Sequence, residues 1–200
     1  MKKTIIFICS LLTSFSFCQD FKLVKASDHI EAIANHKLEN KPNIFITDFN
    51  DLDTLIKRSK KKYKIVYYFS SGCPASVEAF PSLLKFLNEN DIFFELFPIG
   101  GHKYKRVPDY LNYLKKINYF NPVYIVDTEK YGKYGNRFNR LGKVTKQICN
   151  ECNTNKMGAS SFFVVDENNK VVTHTNYYMT WDEKFSKLKQ LIKTIKKKVG

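Results

Sequence analysis

The chain has 200 residues, 33 Lys and Arg against 19 Asp and Glu, a formal net charge of +14 at pH 7 and 44% hydrophobic residues. That apolar share excludes a disordered chain, and the length suits one domain that buries about 70% of its unfolded surface without needing disulfides. The lysines are spread over most of the sequence, which argues for a solvated basic surface near anionic envelope lipids or polymers and against a localised nucleic-acid face.

Lys2 and Lys3 precede an apolar stretch from Thr4 to Phe17, too short to span a bilayer comfortably, and the pattern is that of a secretory signal over residues 1–18. Ser16 and Cys18 are small enough for a signal-peptidase site. Cleavage before Gln19 is therefore expected, with the mature protein periplasmic or secreted. Acylation of Cys18 as a lipoprotein anchor is disfavoured, because Phe17 stands where a small residue usually precedes the acylated cysteine.

Residues 19–50 are polar and mixed, with weak helical signals from His29 to His36, and are expected to form an extension packed on a main domain over 51–200. Leu52, Leu55 and Ile56 predict a helix within Asp51 to Lys62, followed by a buried strand at "KIVYYF", Lys64 to Phe69. After Cys73 the apolar positions Val77, Phe80, Leu84 and Leu87 predict an amphipathic helix ending near "NEND". Strands are expected at Ile92 to Phe97 and Pro122 to Val126, with a short helix from Pro108 to Ile117 between them. "SFFVVDENNKVVTHT" reads as a hairpin, and a last helix carries the stripe Phe185, Leu188, Leu191, Ile192, Ile195 and Val199, with Lys184 and the other lysines mostly outside it. Alternating strands and helices closed by a hairpin and a helix describe an α/β sandwich around a central mixed sheet.

If Cys9 and Cys18 leave with the signal, Cys73, Cys149 and Cys152 remain. In an oxidising compartment three cysteines allow one internal bridge and one leftover thiol. Cys73 falls between the strand and the helix, where unpaired N–H groups and the positive end of the helix dipole favour a thiolate, and Pro74 suits the first helical position. Cys73 is the candidate nucleophile. Cys149 and Cys152 are open to three arrangements: a local bridge pinning a loop, a resolving thiol for Cys73, or part of a metal site. The four histidines are scattered, so neither metal nor cofactor is expected.

The frame formed by Cys73, Pro74, Ala75, Ser76 and Pro81 after an apolar strand resembles the C-x-x-C-x-x-x-x-P signature of the thioredoxin superfamily, with Ser76 in place of the second cysteine. "GASSFFVVDENNKVV" is similar to the loop and hairpin of the exported thiol-disulfide oxidoreductases and redoxins. Gly158, Phe163, Val164, Val165 and Asp166 match, while Ser160 stands where that branch has a cis-proline. The resemblance implies a thioredoxin-like fold over Asp51 to Val199 and thiol-disulfide exchange with protein thiols or disulfides of the envelope. It gives Cys73 as attacking thiol, Ser76 as its hydrogen-bond partner, Cys149 or Cys152 as resolving thiol, Pro74, Ala159 and Ser160 as substrate contacts, and Pro81 and Gly158 as structural positions.

A C-x-x-S site can form a mixed disulfide but cannot resolve it locally. With no proline at 160, a trans Ala159–Ser160 bond and a remodelled groove are expected. Two further functions fit the same residues: a binding module that has lost redox turnover, and a one-cysteine peroxidase in which Ser70 lies three residues before the thiol, although Val66 replaces the proline such enzymes use. His102 is read as a solvated loop residue near the active end, Glu78 as a solvated helix acid, and Tyr177, Tyr178 and Trp181 as packing residues.

Overall fold

The computed structural model describes residues 23–132 and 137–199. The segment read as an export signal, with Cys9 and Cys18, lies outside them. Among the described residues, seven strands form one sheet: β1 (Val24–Lys25), β2 (Asn43–Thr47), β3 (Tyr63–Tyr68), β4 (Phe94–Gly100), β5 (Pro122–Val126), β6 (Phe162–Val165) and β7 (Val171–His174). Their spatial order is β1-β2-β5-β4-β3-β6-β7. The first five in that order run parallel, and β6 and β7 pair antiparallel, β6 against β3 in the register Ile65 to Val164. The helices are α1 (Ile30–Ala34), α2 (Phe49–Arg58), α3 (Pro74–Asn88), α4 (Val107–Lys116), α5 (Thr128–Tyr131), α6 (Arg137–Ile148) and α7 (Trp181–Val199). The class is α/β with a mixed sheet, as the sequence predicts.

All residues of β3 are buried, Lys64 included, so this β-branched and aromatic run is a central strand covered on both faces. Ile65 and Tyr67 join a core with Phe80 and Leu83 of α3, Tyr110 and Leu111 of α4 and Leu188 and Ile192 of α7. Val66 and Tyr68 point the other way, into a core with Leu52 and Leu55 of α2 and Leu141 and Val144 of α6. Period-two alternation thus divides one strand between two apolar layers.

Four expectations change. The stretch read as an extension contributes β1 and β2 to the sheet, β2 pairing along its whole length with β5. The strand expected over Ile92 to Phe97 begins two residues later and runs to Gly100, because 91–93 close a turn in which the Phe93 N–H donates to Asn90 O, leaving Ile92 exposed. Pro98 stands just before the β4–β5 pairing starts at Ile99, so its missing N–H removes no rung there. The buried face of α3 is Ser76, Ala79, Phe80, Leu83, Phe86 and Leu87, which leaves Val77 and Leu84 half-buried at its edge. Helices α5 and α6 occupy a stretch for which the sequence suggested no element.

Helix α3 runs unbroken through Pro81, although proline there cannot donate to the Val77 carbonyl one turn back. The Tyr113 hydroxyl of α4 donates to Val77 O at 2.8 Å instead, and burial pushes its own pKa up to about 12. A neighbouring helix therefore supplies the hydrogen bond that the proline removes. Tyr113→Phe should cost about 1 to 2 kcal/mol by leaving that carbonyl unpaired. In a Pro81→Ala background, where residue 81 regains its N–H, the same substitution should cost about 1 kcal/mol less. Urea unfolding of the four proteins checks this, and equal costs in both backgrounds would separate Tyr113 from the proline.

Candidate functional site

Strand β3 delivers the chain to Phe69 and Ser70, and a turn at Ser71 and Gly72 leads to Cys73, the N-cap residue of α3, with Pro74 as the first helical residue. The Cys73 carbonyl accepts from the N–H groups of Ser76 and Val77 at 2.9 and 3.0 Å, which fixes the first turn, while the thiol makes no side-chain cap. Cys73 is half-buried and unbridged. It opens on a cavity of about 920 Å³.

Four segments enclose that cavity. Cys73 and Ala75 come from the start of α3, Phe138, Gly142, Lys143 and Lys146 from α6, Met157 to Ser160 from the segment entering β6, and Tyr177, Trp181 and Lys184 from the approach to α7 and its first turn. The two sequence motifs therefore meet: Cys73 faces the same space as Gly158, Ala159 and Ser160. No peptide bond among the described residues is cis, so the Ala159–Ser160 bond is trans. Ser160 adopts φ 68°, a left-handed conformation that costs a non-glycine residue about 1 kcal/mol. Its N–H donates to Tyr68 O at 2.8 Å and its hydroxyl receives the Lys184 ammonium at 2.9 Å. A side chain at Gly158 would be tight, since an added Cβ would lie 3.1 Å from Tyr177 Cβ.

Lys184 corrects the reading of α7. It is 3% exposed and lies one turn before Leu188 on the stripe that continues through Ile192 and Ile195, so it sits on the buried face rather than outside it. Burial holds its ammonium below the usual lysine pKa, while the negative charge of an ionised Cys73 works in the opposite direction. Cys73 and Lys184 border the same cavity.

Ser76 does not play the part the motif implies. Its hydroxyl is fully buried, accepts the Ser70 N–H at 3.1 Å and lies 3.3 Å from the Tyr67 hydroxyl, and it makes no hydrogen bond to the Cys73 sulfur. Where a second cysteine would stand, this serine ties the end of β3 to the first turn of α3. Ser70 Oγ lies 3.4 Å from His102 Nε2, and His102 Nδ1 lies 2.7 Å from the Tyr110 hydroxyl. His102 is therefore half-buried in a network behind the thiol rather than solvated. Gly100 makes the room, as a Cβ there would stand 2.6 Å from the Tyr110 hydroxyl.

Cys149 and Cys152 are bridged to each other, with Cα atoms 5.3 Å apart, at the C-terminal end of α6. Each is 6% exposed and packs in the core beside Met157 and Phe163, and neither lines the cavity. Of the three arrangements open in the sequence, the structure has the local bridge. Among the described residues no group of three His, Cys, Asp or Glu side chains could hold a metal ion. Glu78 and Pro81 are exposed on α3, and Pro81 is outside the cavity lining.

Several site residues escaped the sequence reading. Phe138, Lys143 and Lys146 belong to α6, whose Leu141, Val144 and Ile148 recur at helical spacing and offered the signal. Trp181 and Tyr177 line the cavity, and Tyr177 and Tyr178 are 48% and 68% exposed with ring centroids 3.9 Å apart, so this pair is a surface feature and not core packing. No protein-family model, curated protein or solved structure matches the chain.

Because the Lys184 pKa is lowered on folding, the unfolded chain binds more protons in the range just below 10.5, and stability attributable to this residue rises with pH through that window. Lys184→Met keeps the length of the side chain without its charge. The variant should gain about 1 kcal/mol on the wild type at pH 7, and that advantage should shrink as the pH approaches 10. Denaturant unfolding at the two pH values reads this, and a gap that widened with pH would contradict the burial of a charged amine.

Proposed function

We propose that the protein is an exported, thioredoxin-like thiol-disulfide exchange protein whose working group is Cys73. The observation that carries this reading is a free, half-buried cysteine at the start of a 15-residue helix, opening on a large cavity beside the buried Lys184. The sequence of β3, α3 and β4, the β6–β7 hairpin antiparallel to β3, and the closing helix α7 support the thioredoxin-like part. So does the meeting of the Cys73 turn with the Gly158 to Ser160 segment in one cavity. Export rests on the N-terminal sequence, and the partners are thiols or disulfides of the envelope. No described helix is long and apolar enough to cross a membrane.

In this reading the Cys73 thiolate attacks one sulfur of a substrate disulfide. A Cys73–substrate S–S bond forms, the substrate S–S bond breaks, and the electron pair leaves on the second substrate sulfur, which takes a proton from solvent. Lys184, buried beside Ser160 in the same cavity, offsets the negative charge on the sulfur. With Ser76 in place of a second cysteine and Cys149 bonded to Cys152 away from the cavity, an incoming thiolate from the substrate or a small thiol attacks the mixed disulfide and restores the Cys73 thiolate. One disulfide is exchanged for another without net oxidation, so the cycle needs no cofactor.

The lack of a second thiol at the cavity also favours a module that captures partners without turnover. A peroxidase has less support, since Ser70 is 2% exposed and engaged by His102 and Ser76. A protein substrate with scrambled disulfides separates the first two readings when the reaction is quenched in acid and mapped by peptide mass. Exchange predicts a mixed disulfide at Cys73 that disappears on adding a small thiol, substrate isomerisation, and loss of both in Cys73→Ala. A Cys73 that stays unlinked while the substrate remains scrambled would leave only the binding module.

A further inference from the structure

The charge around the Cys73 cavity is one-sided. Lys143 and Lys146 stand on α6, Lys184 projects from the first turn of α7, and no acidic side chain lines the cavity among the described residues. Lys143 and Lys146 are exposed at the rim, the former donating to Tyr131 O at 3.4 Å, and Lys184 is buried against Ser160. Asp182 and Glu183 of α7 are exposed, and Glu183 is turned back onto the helix start, accepting from the Thr180 N–H at 2.7 Å. Between the lysines the wall mixes the apolar and aromatic Phe138, Met157 and Trp181 with the polar Asn139, Thr154 and Asn155. The volume, about 920 Å³, lies in the range that encloses a small organic ligand or a few residues of a peptide.

We infer that the cavity selects disulfides whose flanking groups carry carboxylates, Lys143 and Lys146 receiving those carboxylates while the substrate sulfur meets Cys73. The inference rests on the reading of Cys73 as an exchange thiol and adds the substrate class. Attack by a thiolate places negative charge on both the entering and the leaving sulfur, which by itself repels an anionic substrate. Cations at the rim reverse that repulsion, and low-dielectric walls focus their field. The chemistry of the site is then a flanking anion, an apolar or aromatic body and a disulfide, in that order from rim to thiol.

The test uses the folded protein and three small disulfides: anionic dithiobis(nitrobenzoate), neutral dipyridyl disulfide and cationic cystamine. Rate constants for modification of Cys73 are measured at low and high salt. The ratio of anionic to cationic rates should exceed that of the urea-unfolded chain by about tenfold or more at low salt and shrink as salt screens it. The Lys143→Gln/Lys146→Gln variant should lose most of that ratio. Lys85→Gln/Lys105→Gln removes the same charge from exposed positions outside the cavity and should retain it.

An equal fall in the two double variants, or none in the first, overturns the local selectivity and leaves only the general positive charge of the chain. If none of the three compounds modifies Cys73 in the folded protein while all modify the unfolded chain, the exchange reading fails and the selectivity with it. Dithiodipropionate, whose amine counterpart is cystamine, and the disulfide of a short peptide with glutamates beside its cysteine, whose counterpart carries lysines, then distinguish the two sources of carboxylate. Faster reaction of either than of its amine-bearing counterpart supports the inference and names the source, and no preference in both pairs overturns it.

Discussion

Strand β3 has no solvent-facing side. Its odd residues pack under α3, α4 and α7, its even residues under α2 and α6, and even the stem of Lys64 is covered, its amine reaching toward Asp166 O at 3.5 Å. A strand buried in this way cannot slip by one residue without reversing every contact in both layers. Its C-terminal end is therefore a fixed point. The turn that leaves it, the first turn of α3 and the thiol of Cys73 inherit that position. Tyr68 extends the anchorage sideways, its carbonyl receiving the Ser160 N–H and its N–H donating to Ser161 O. The two segments that face each other across the candidate site are thus tied to the same residue of the same strand.

This explains how the site keeps its shape without the two devices that the motif leads one to expect. Where the motif has a second cysteine, Ser76 is enclosed and bonded to the Ser70 N–H, so it braces the strand end. Where a cis-proline would stand, Ser160 takes a left-handed backbone conformation. Neither serine leaves its hydroxyl without a hydrogen-bond partner.

The legible parts of the sequence were those with strong periodicity or fixed backbone chemistry. "KIVYYF" has the unbroken apolar character of a central strand, Cys73-Pro74 marks a helix start, and the Asp166 to Lys170 turn closes its hairpin with two N–H groups on the Asp166 carboxylate. Less legible were the elements whose burial is partial. Helix α6 presents Leu141 and Val144 to the core between cations and amides, and its polar face supplies two of the three lysines that line the cavity. The buried face of α3 is harder to read because Leu83 and Leu84 are an adjacent apolar pair in which only packing decides the inward member, whereas Phe86 and Leu87 are both buried. The Cys149–Cys152 pairing needed coordinates, since spacing allowed three outcomes. Lys184 could have been found, because a lysine one turn before Leu188, Ile192 and Ile195 occupies a core position that a solvated residue has no reason to hold.

That lysine also shows how the costs of the site are offset. A left-handed serine costs about 1 kcal/mol, and a buried ammonium loses hydration that one hydroxyl does not replace. Separately each is unfavourable. Together they form the Lys184–Ser160 hydrogen bond, while the Tyr68 backbone holds the serine from the other side and the stem of the lysine continues the apolar stripe of α7. Strain of this kind persists only where surrounding structure over-determines it, and such places concentrate at functional sites. Here the strained residue, the buried cation and the free thiol border one cavity. If Lys184→Met proves the more stable protein, the charge at 184 serves the cavity rather than the fold, as the proposed exchange at Cys73 requires.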